Sequence, residues 1–319
     1  MIRSIFDKMV TFIVLNRLLI GVLFAVPFML FGFFTELAIL EWDTSLIKNS
    51  LFRLLSALGV SITLLPYIWM SNDYFDAPFD QLDENKRRLN YFCSTNIQEK
   101  PKLAILILLT PIILSFFFIV FNGLESIVIW AIILILGHLY NAPPIRFKER
   151  FFFDFFTHGL YASSLFFLLG GLVLSPISQL LRQPLFLLLF LLSIIDGAWL
   201  QFASQIRDYE IDKIGNQKTT SVVFGKKWSA ILLHGLVCSM LMICPLYLLF
   251  NTSLNDFIPN SVISIAFIIA IIAIILYIIR LYKVKDDFMK IRKLSGWIRR
   301  HYVYPFCIIS VLLINWPFD

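Results

Sequence analysis

A chain of 319 residues in which 59% are hydrophobic, 15% charged and 33 are phenylalanine holds too little charge for a soluble protein, where about 25% is usual. Its length would suit two soluble domains, but the apolar residues come in runs near the roughly 20 needed to cross a bilayer. The chain therefore reads as one all-α, polytopic membrane domain over 1–319. The net charge of +6 calls for no nucleic-acid partner, because topology and attraction to anionic membrane lipids account for it.

Nine spans are predicted in chain order, at 11–34, 51–70, 103–121, 126–141, 156–174, 185–204, 229–250, 260–282 and 301–318. The fourth and ninth are short, and are expected to be tilted, extended or partly interfacial. The segment before the first span is polar and basic, but the apolar run behind it is span-length and has no small-residue cleavage site, so it is expected to stay as a helix. With the N-terminus inside, every basic residue except Lys48, Arg53 and Arg182 falls on the cytoplasmic side, as the positive-inside rule requires. Cys93 falls in a loop and Cys238, Cys244 and Cys307 in spans, with no disulfide or zinc spacing.

Two acidic clusters interrupt this apolar chain, NDYFDAPFD after span 2 and RDYEID after span 6. If span 2 stays helical, Asn72, Asp76 and Asp80 recur every four residues and share a face, with Asp73 three before Asp76. Asp208 and Asp212 repeat that spacing. Solvated loop acids are the ordinary fate of a charge run, yet two clusters of matching spacing, each at the same membrane face, argue for a shared role. Crowded carboxylates repel unless a cation neutralises them, and all-oxygen ligands select Mg²⁺ or Ca²⁺. Magnesium takes one or two carboxylates per ion and completes its shell with water and phosphate. Two half-sites facing each other across a central cavity would hold a diphosphate, with Arg146, Lys148, Lys86, Arg207 and Lys218 on the same side to meet its oxygens.

NDxxDxxxD at Asn72–Asp80, YNAPPIRFK from Tyr140, and RDYEIDKIGNQKTTSVVFG from Arg207 to Gly225 together resemble the UbiA superfamily of intramembrane prenyltransferases. The resemblance covers about residues 11–318 and implies a nine-helix bundle. It implies Mg²⁺ held by Asn72, Asp76, Asp80, Asp208 and Asp212, with Asn72, Asp76, Asp208 and Asp212 serving catalysis. The implied reaction joins an isoprenyl diphosphate to a lipophilic acceptor, a carotenoid or an aromatic quinone precursor. QLDENKRRLNYFCSTNIQEKPK replaces the Arg-Pro-Leu and Gly stretch of many quinone-pathway members, which weakens a benzoate acceptor. NDYFDAPFDQLDENK is similar to the lycopene elongase branch and RDYEIDKIGNQKT to the naphthoate branch.

Tyr74, Phe75, Tyr140, Tyr161, Trp199 and Phe202 are available to face an allylic cation, though packing or lipid contact is the more ordinary role for any one of them. Asp196 is the one acid near the middle of a span, where an ionisable group points to function by default. It is expected either to serve the acceptor or to bond a neighbouring helix. His138 and His158 lie near the same face as candidate bases or structural residues, and Asn16 and Arg17 open span 1. A terpene cyclase would share the ionising site. A transporter would want a polar path across the midplane, whereas here nearly all charge sits on one face. No DGxxAR string marks a CDP-alcohol phosphotransferase.

Overall fold

The structure, a computed structural model, describes residues 18–81, 84–94, 101–250, 268, 271, 272, 274–279 and 287–305. The regular elements among them are all helical. Helix α1 (Leu18–Ile39) ends in a turn where Glu41 and Trp42 take positive φ. Asp43 then caps α2 (Thr44–Asp80), accepting from the Ser45 N–H at 2.8 Å. With 37 residues, α2 is about 55 Å long at 1.5 Å per residue, against roughly 30 Å of hydrocarbon. The surplus turns project the first acidic cluster beyond the apolar layer on unbroken helix.

Short helices α3 (Glu84–Leu89) and α4 (Tyr91–Ser94) follow, then α5 (Pro101–Ile119) and α6 (Leu124–Asn141). A loop with a 3₁₀ turn at Phe147–Glu149 leads to α7 (Phe153–Gly159), a π turn at Leu160–Ser164, and α8 (Leu165–Gly171). Beyond the short α9 (Ile177–Leu180), α10 (Pro184–Ile214) carries the second cluster on its surplus turns. Helix α11 (Thr220–Phe250) is kinked at Gly225, φ 73°, and α12 (Phe288–Ile298) runs into a second π turn at Arg299–Val303.

Among the described residues, five helices are long and apolar enough to cross a membrane, at Ser45–Asp80, Lys102–Asn122, Leu124–Asn141, Pro184–Ile214 and Thr220–Ile243, and Leu23–Ile39 is a shorter apolar one. Leu106, Leu109, Ile113 and Phe117 of α5 are exposed, the surface an integral membrane protein turns to lipid. Inside, α1 packs on α8 and α2, α2 on α5 and α6, and α10 on α7 and α11. The α1–α8 crossing depends on glycine, because a Cβ on Gly32 would collide with the Phe167 carbonyl and one on Gly170 with that of Met29. Small residues let membrane helices approach this closely. Gly170→Ala is expected to cost about 3 kcal/mol through overpacking, read as a lower unfolding midpoint in detergent; an unchanged midpoint would show that the crossing can relax.

Three expectations shift. The first helix runs on to Ile39. The last helix among the described residues begins at Phe288, well before the predicted 301, so Arg292, Arg299 and Arg300 belong to helix and not to a loop. Hydropathy rejects these residues as a span, but Arg292 and Arg299 face protein: Arg292 Nε donates to the Ala203 carbonyl at 2.8 Å and Arg299 pairs with Asp196. Cys93, expected in a loop, is buried in α4 with its thiol bonded to the Ala77 carbonyl. Asn16, Arg17, Cys307, most of the predicted span 260–282 and most of 301–318 lie outside the described residues.

Candidate active site

Asn141 fastens the end of α6 to α2, its amide donating to the Ile68 carbonyl at 2.9 Å and to Ser71 Oγ at 3.0 Å. The Pro143-Pro144 pair stops the helix, and the chain turns through Arg146 at φ 44°. That turn aims two cations at the first cluster. Asp76 Oδ1 accepts from Arg146 Nη2 at 2.8 Å and from Lys148 Nζ at 2.5 Å, and Lys148 also donates to Asn72 Oδ1 at 2.9 Å. The Lys148 side chain is only 11% exposed. Burial pulls its ammonium below the usual range, and Asp76 pulls it back. Glu149 meets Arg146 Nε at 2.8 Å.

Asp80, on the same face one turn on, accepts from Asn90 Nδ2 at 2.9 Å, and that amide also donates to the Asp73 carbonyl at 2.7 Å. Asn90 therefore ties the segment after the cluster back onto α2, while Asp73 is buried. On α10, Asp208 is gripped by Arg207, Nε to Oδ1 at 2.9 Å and Nη2 to Oδ2 at 3.0 Å. Asp212 is buried one helical turn beyond Asp208. Lys218 is exposed and lines a cavity of about 700 Å³ with Arg146, Arg150 and the proline pair.

Among the described residues no three His, Cys, Asp or Glu side chains converge to hold a metal by themselves. The oxygen donors instead suit an ion that takes one or two carboxylates and finds its other ligands in water and phosphate. Asp76 and Asp208 meanwhile hold cations from their own chain.

Asp154 had no place in the reading of the motifs, yet it locks this region. Fully buried, its carboxylate accepts from the Thr220 N–H and Oγ1, both at 2.6 Å, and from the Phe155 N–H at 2.7 Å. Burial pushes its carboxyl up while the Thr220 bonds pull it down. Thr220 Oγ1 accepts in turn from the Phe152 N–H at 2.7 Å. The only sequence signal was a carboxylate at the mouth of an apolar run. Thr220→Val, which strips Asp154 of a donor and the Phe152 N–H of an acceptor, is expected to cost about 1–3 kcal/mol in thermal unfolding.

Asp196 is taken up by structure. Arg299 Nε and Nη2 donate to its two oxygens, Tyr304 OH donates to Oδ2 at 3.1 Å, and the guanidinium lies 4.6 Å from the Trp199 ring centre. Of the other rings, Tyr74 packs on Phe75 and Phe92, Phe202 on Phe155, and Tyr140 on Tyr161. His138 Nδ1 bonds Tyr67 OH at 2.9 Å, and His158 Nδ1 bonds the Gly197 carbonyl at 3.0 Å.

The sequence model of the UbiA prenyltransferase family matches residues 42–297. A comparison with curated protein sequences gives no match. Among solved structures, the fold is similar to one from work on the biosynthesis of digeranylgeranylglyceryl phosphate synthase in membranes, at TM-score 0.65 and 18% identity, covering 97% of this chain and 99% of that one. A UbiA homolog from Archaeoglobus fulgidus follows at TM-score 0.55 and 18% identity, covering 94% of this chain and 99% of that chain. The same homolog bound to GPP and Mg²⁺ gives TM-score 0.55 and 18% identity, covering 90% and 98%.

Proposed function

Because the chain belongs to the UbiA prenyltransferase family, we propose that it is an intramembrane prenyltransferase that joins the isoprenyl group of a diphosphate donor to a lipophilic acceptor, a carotenoid or an aromatic quinone precursor. One observation carries the donor half: Lys148 and Arg146 converge on Asp76, and Lys148 also holds Asn72. A relative's complexes with GPP and Mg²⁺ and with DMAPP and Mg²⁺ support the same donor class. In this reading the chain is one domain of nine helices around a central cavity, with the N-terminus and the site on the cytoplasmic side.

Asn72, Asp76 and Asp80 would hold Mg²⁺ on one side and Asp208 and Asp212 on the other. When bound there, Mg²⁺ supplies Lewis-acid stabilisation of the charge that grows on the departing diphosphate. The chain's own cations add to it: Lys148 and Arg146, already fixed in place by Asn72, Asp76 and Glu149, receive phosphate oxygens without reorganising. Lys86, Arg207 and Lys218 complete the positive surround. The prenyl chain lies down among the apolar helices, where water is excluded and the allylic cation survives long enough to meet the acceptor.

The test is purified protein incubated with radiolabelled prenyl diphosphates and a membrane lipid extract, with and without Mg²⁺. Mg²⁺-dependent release of diphosphate and a labelled lipid product are expected. Hydrocarbon formed from the donor alone would instead identify a cyclase, and no reaction with any donor would overturn the proposal.

A further inference from the structure

His158 is placed with more care than a packing residue needs. Its Nδ1 lies 3.0 Å from the Gly197 carbonyl oxygen, which can only accept, so Nδ1 carries the hydrogen and the neutral ring offers its lone pair at Nε2. The Gly197 bond leaves Nε2 on the other side of the ring. The fold brings that carbonyl within reach by pressing α7 against α10: a Cβ on Gly159 would collide with the Ile194 carbonyl, and one on Gly197 with Ser163 Oγ. The π turn Leu160–Ser164 opens two residues later, an irregularity often found at functional sites.

Tyr161 and Tyr140 flank the imidazole, with ring centres 5.3 and 6.0 Å away. The Tyr140 hydroxyl is buried without a partner among the described residues, and the next residue, Asn141, bonds Ser71 immediately before Asn72. An aromatic wall of Tyr140 and Tyr161 therefore runs from beside the first acidic cluster to His158. Other bases near that wall are engaged. Asp154 is saturated by Thr220 and the Phe155 N–H, Asp196 is neutralised by Arg299, and His138 faces a Tyr67 hydroxyl that leaves its tautomer unfixed.

We propose that His158 Nε2 is the general base that takes the proton the acceptor loses on prenylation; this rests on the prenyl-transfer reading of the site. The C1–O bond of the donor breaks and its electron pair leaves with the diphosphate. An electron pair of the acceptor forms the new bond to C1. The proton on the acceptor's reacting carbon or oxygen moves to Nε2, and the imidazolium returns it to water.

The experiment uses the full chain in lipid nanodiscs, tritiated prenyl diphosphates, and a membrane lipid extract as the source of acceptor. Two rates are followed with Mg²⁺: labelled lipid formed with the extract, and prenol formed by solvolysis without it. In His158→Asn, whose amide nitrogen takes the place of Nδ1 against the Gly197 carbonyl, transfer is expected to fall about 10²-fold or more while solvolysis stays near wild type. In His158→Ala, transfer is expected to return as imidazole is added. Full transfer by His158→Asn, parallel loss of transfer and solvolysis, or no response of His158→Ala to imidazole overturns the assignment. A wild-type chain with neither activity overturns the prenyl-transfer reading itself, and the role of His158 with it.

Discussion

Asp76→Asn is expected to slow Mg²⁺-dependent prenyl transfer by at least about 10³-fold, since a lost metal contact removes several kcal/mol of charge stabilisation at about 1.4 kcal/mol per tenfold. Among the described residues Asp76 is the one carboxylate that pairs with both Arg146 and Lys148. Asparagine keeps the size and can still accept a hydrogen bond from Lys148, so the loop from Tyr140 to Arg150 should keep its place and the variant should fold. Initial rates with the donor and lipid extract measure the effect. A variant that keeps a tenth of wild-type activity would remove Asp76 from the reaction.

The second large effect falls on stability. Asp196→Ala is expected to lower the unfolding free energy by about 3–5 kcal/mol, because it strands the buried Arg299 guanidinium without its counter-charge. Replacing both partners, Asp196→Leu with Arg299→Met, is expected to recover most of that loss, since well-packed apolar pairs often match a buried ion pair. Thermal unfolding of the two variants beside wild type reads both effects. Equal destabilisation by the single and double variants would mean that the helices here depend on something other than the pair.

The residues that carry this site differ in how openly the sequence displays them. The helical extension of α2 was legible from the four-residue repeat of Asn72, Asp76 and Asp80, because only a helix puts that period on one face. The approach of Arg146 and Lys148 was legible from a Pro pair followed by alternating cations. What hydropathy obscured was the start of α12. Arg292 and Arg299 look like loop residues when counted singly, and their compensation by the Ala203 carbonyl and by Asp196 comes from a helix some hundred positions earlier. Asp154 was hidden for a related reason. Its partner Thr220 lies 66 positions on, beyond α8, α9 and α10, and no local pattern announces a hydrogen bond of that range.

Binding of an unreactive prenyl thiolodiphosphate, titrated calorimetrically with and without Mg²⁺, tests most directly whether the two acidic clusters form one donor site. Wild type is expected to bind only with Mg²⁺, and Asp76→Asn and Asp212→Asn are each expected to weaken that binding tenfold or more, about 1.4 kcal/mol. Metal-independent binding, or wild-type affinity in either variant, would contradict a site shared between the two clusters.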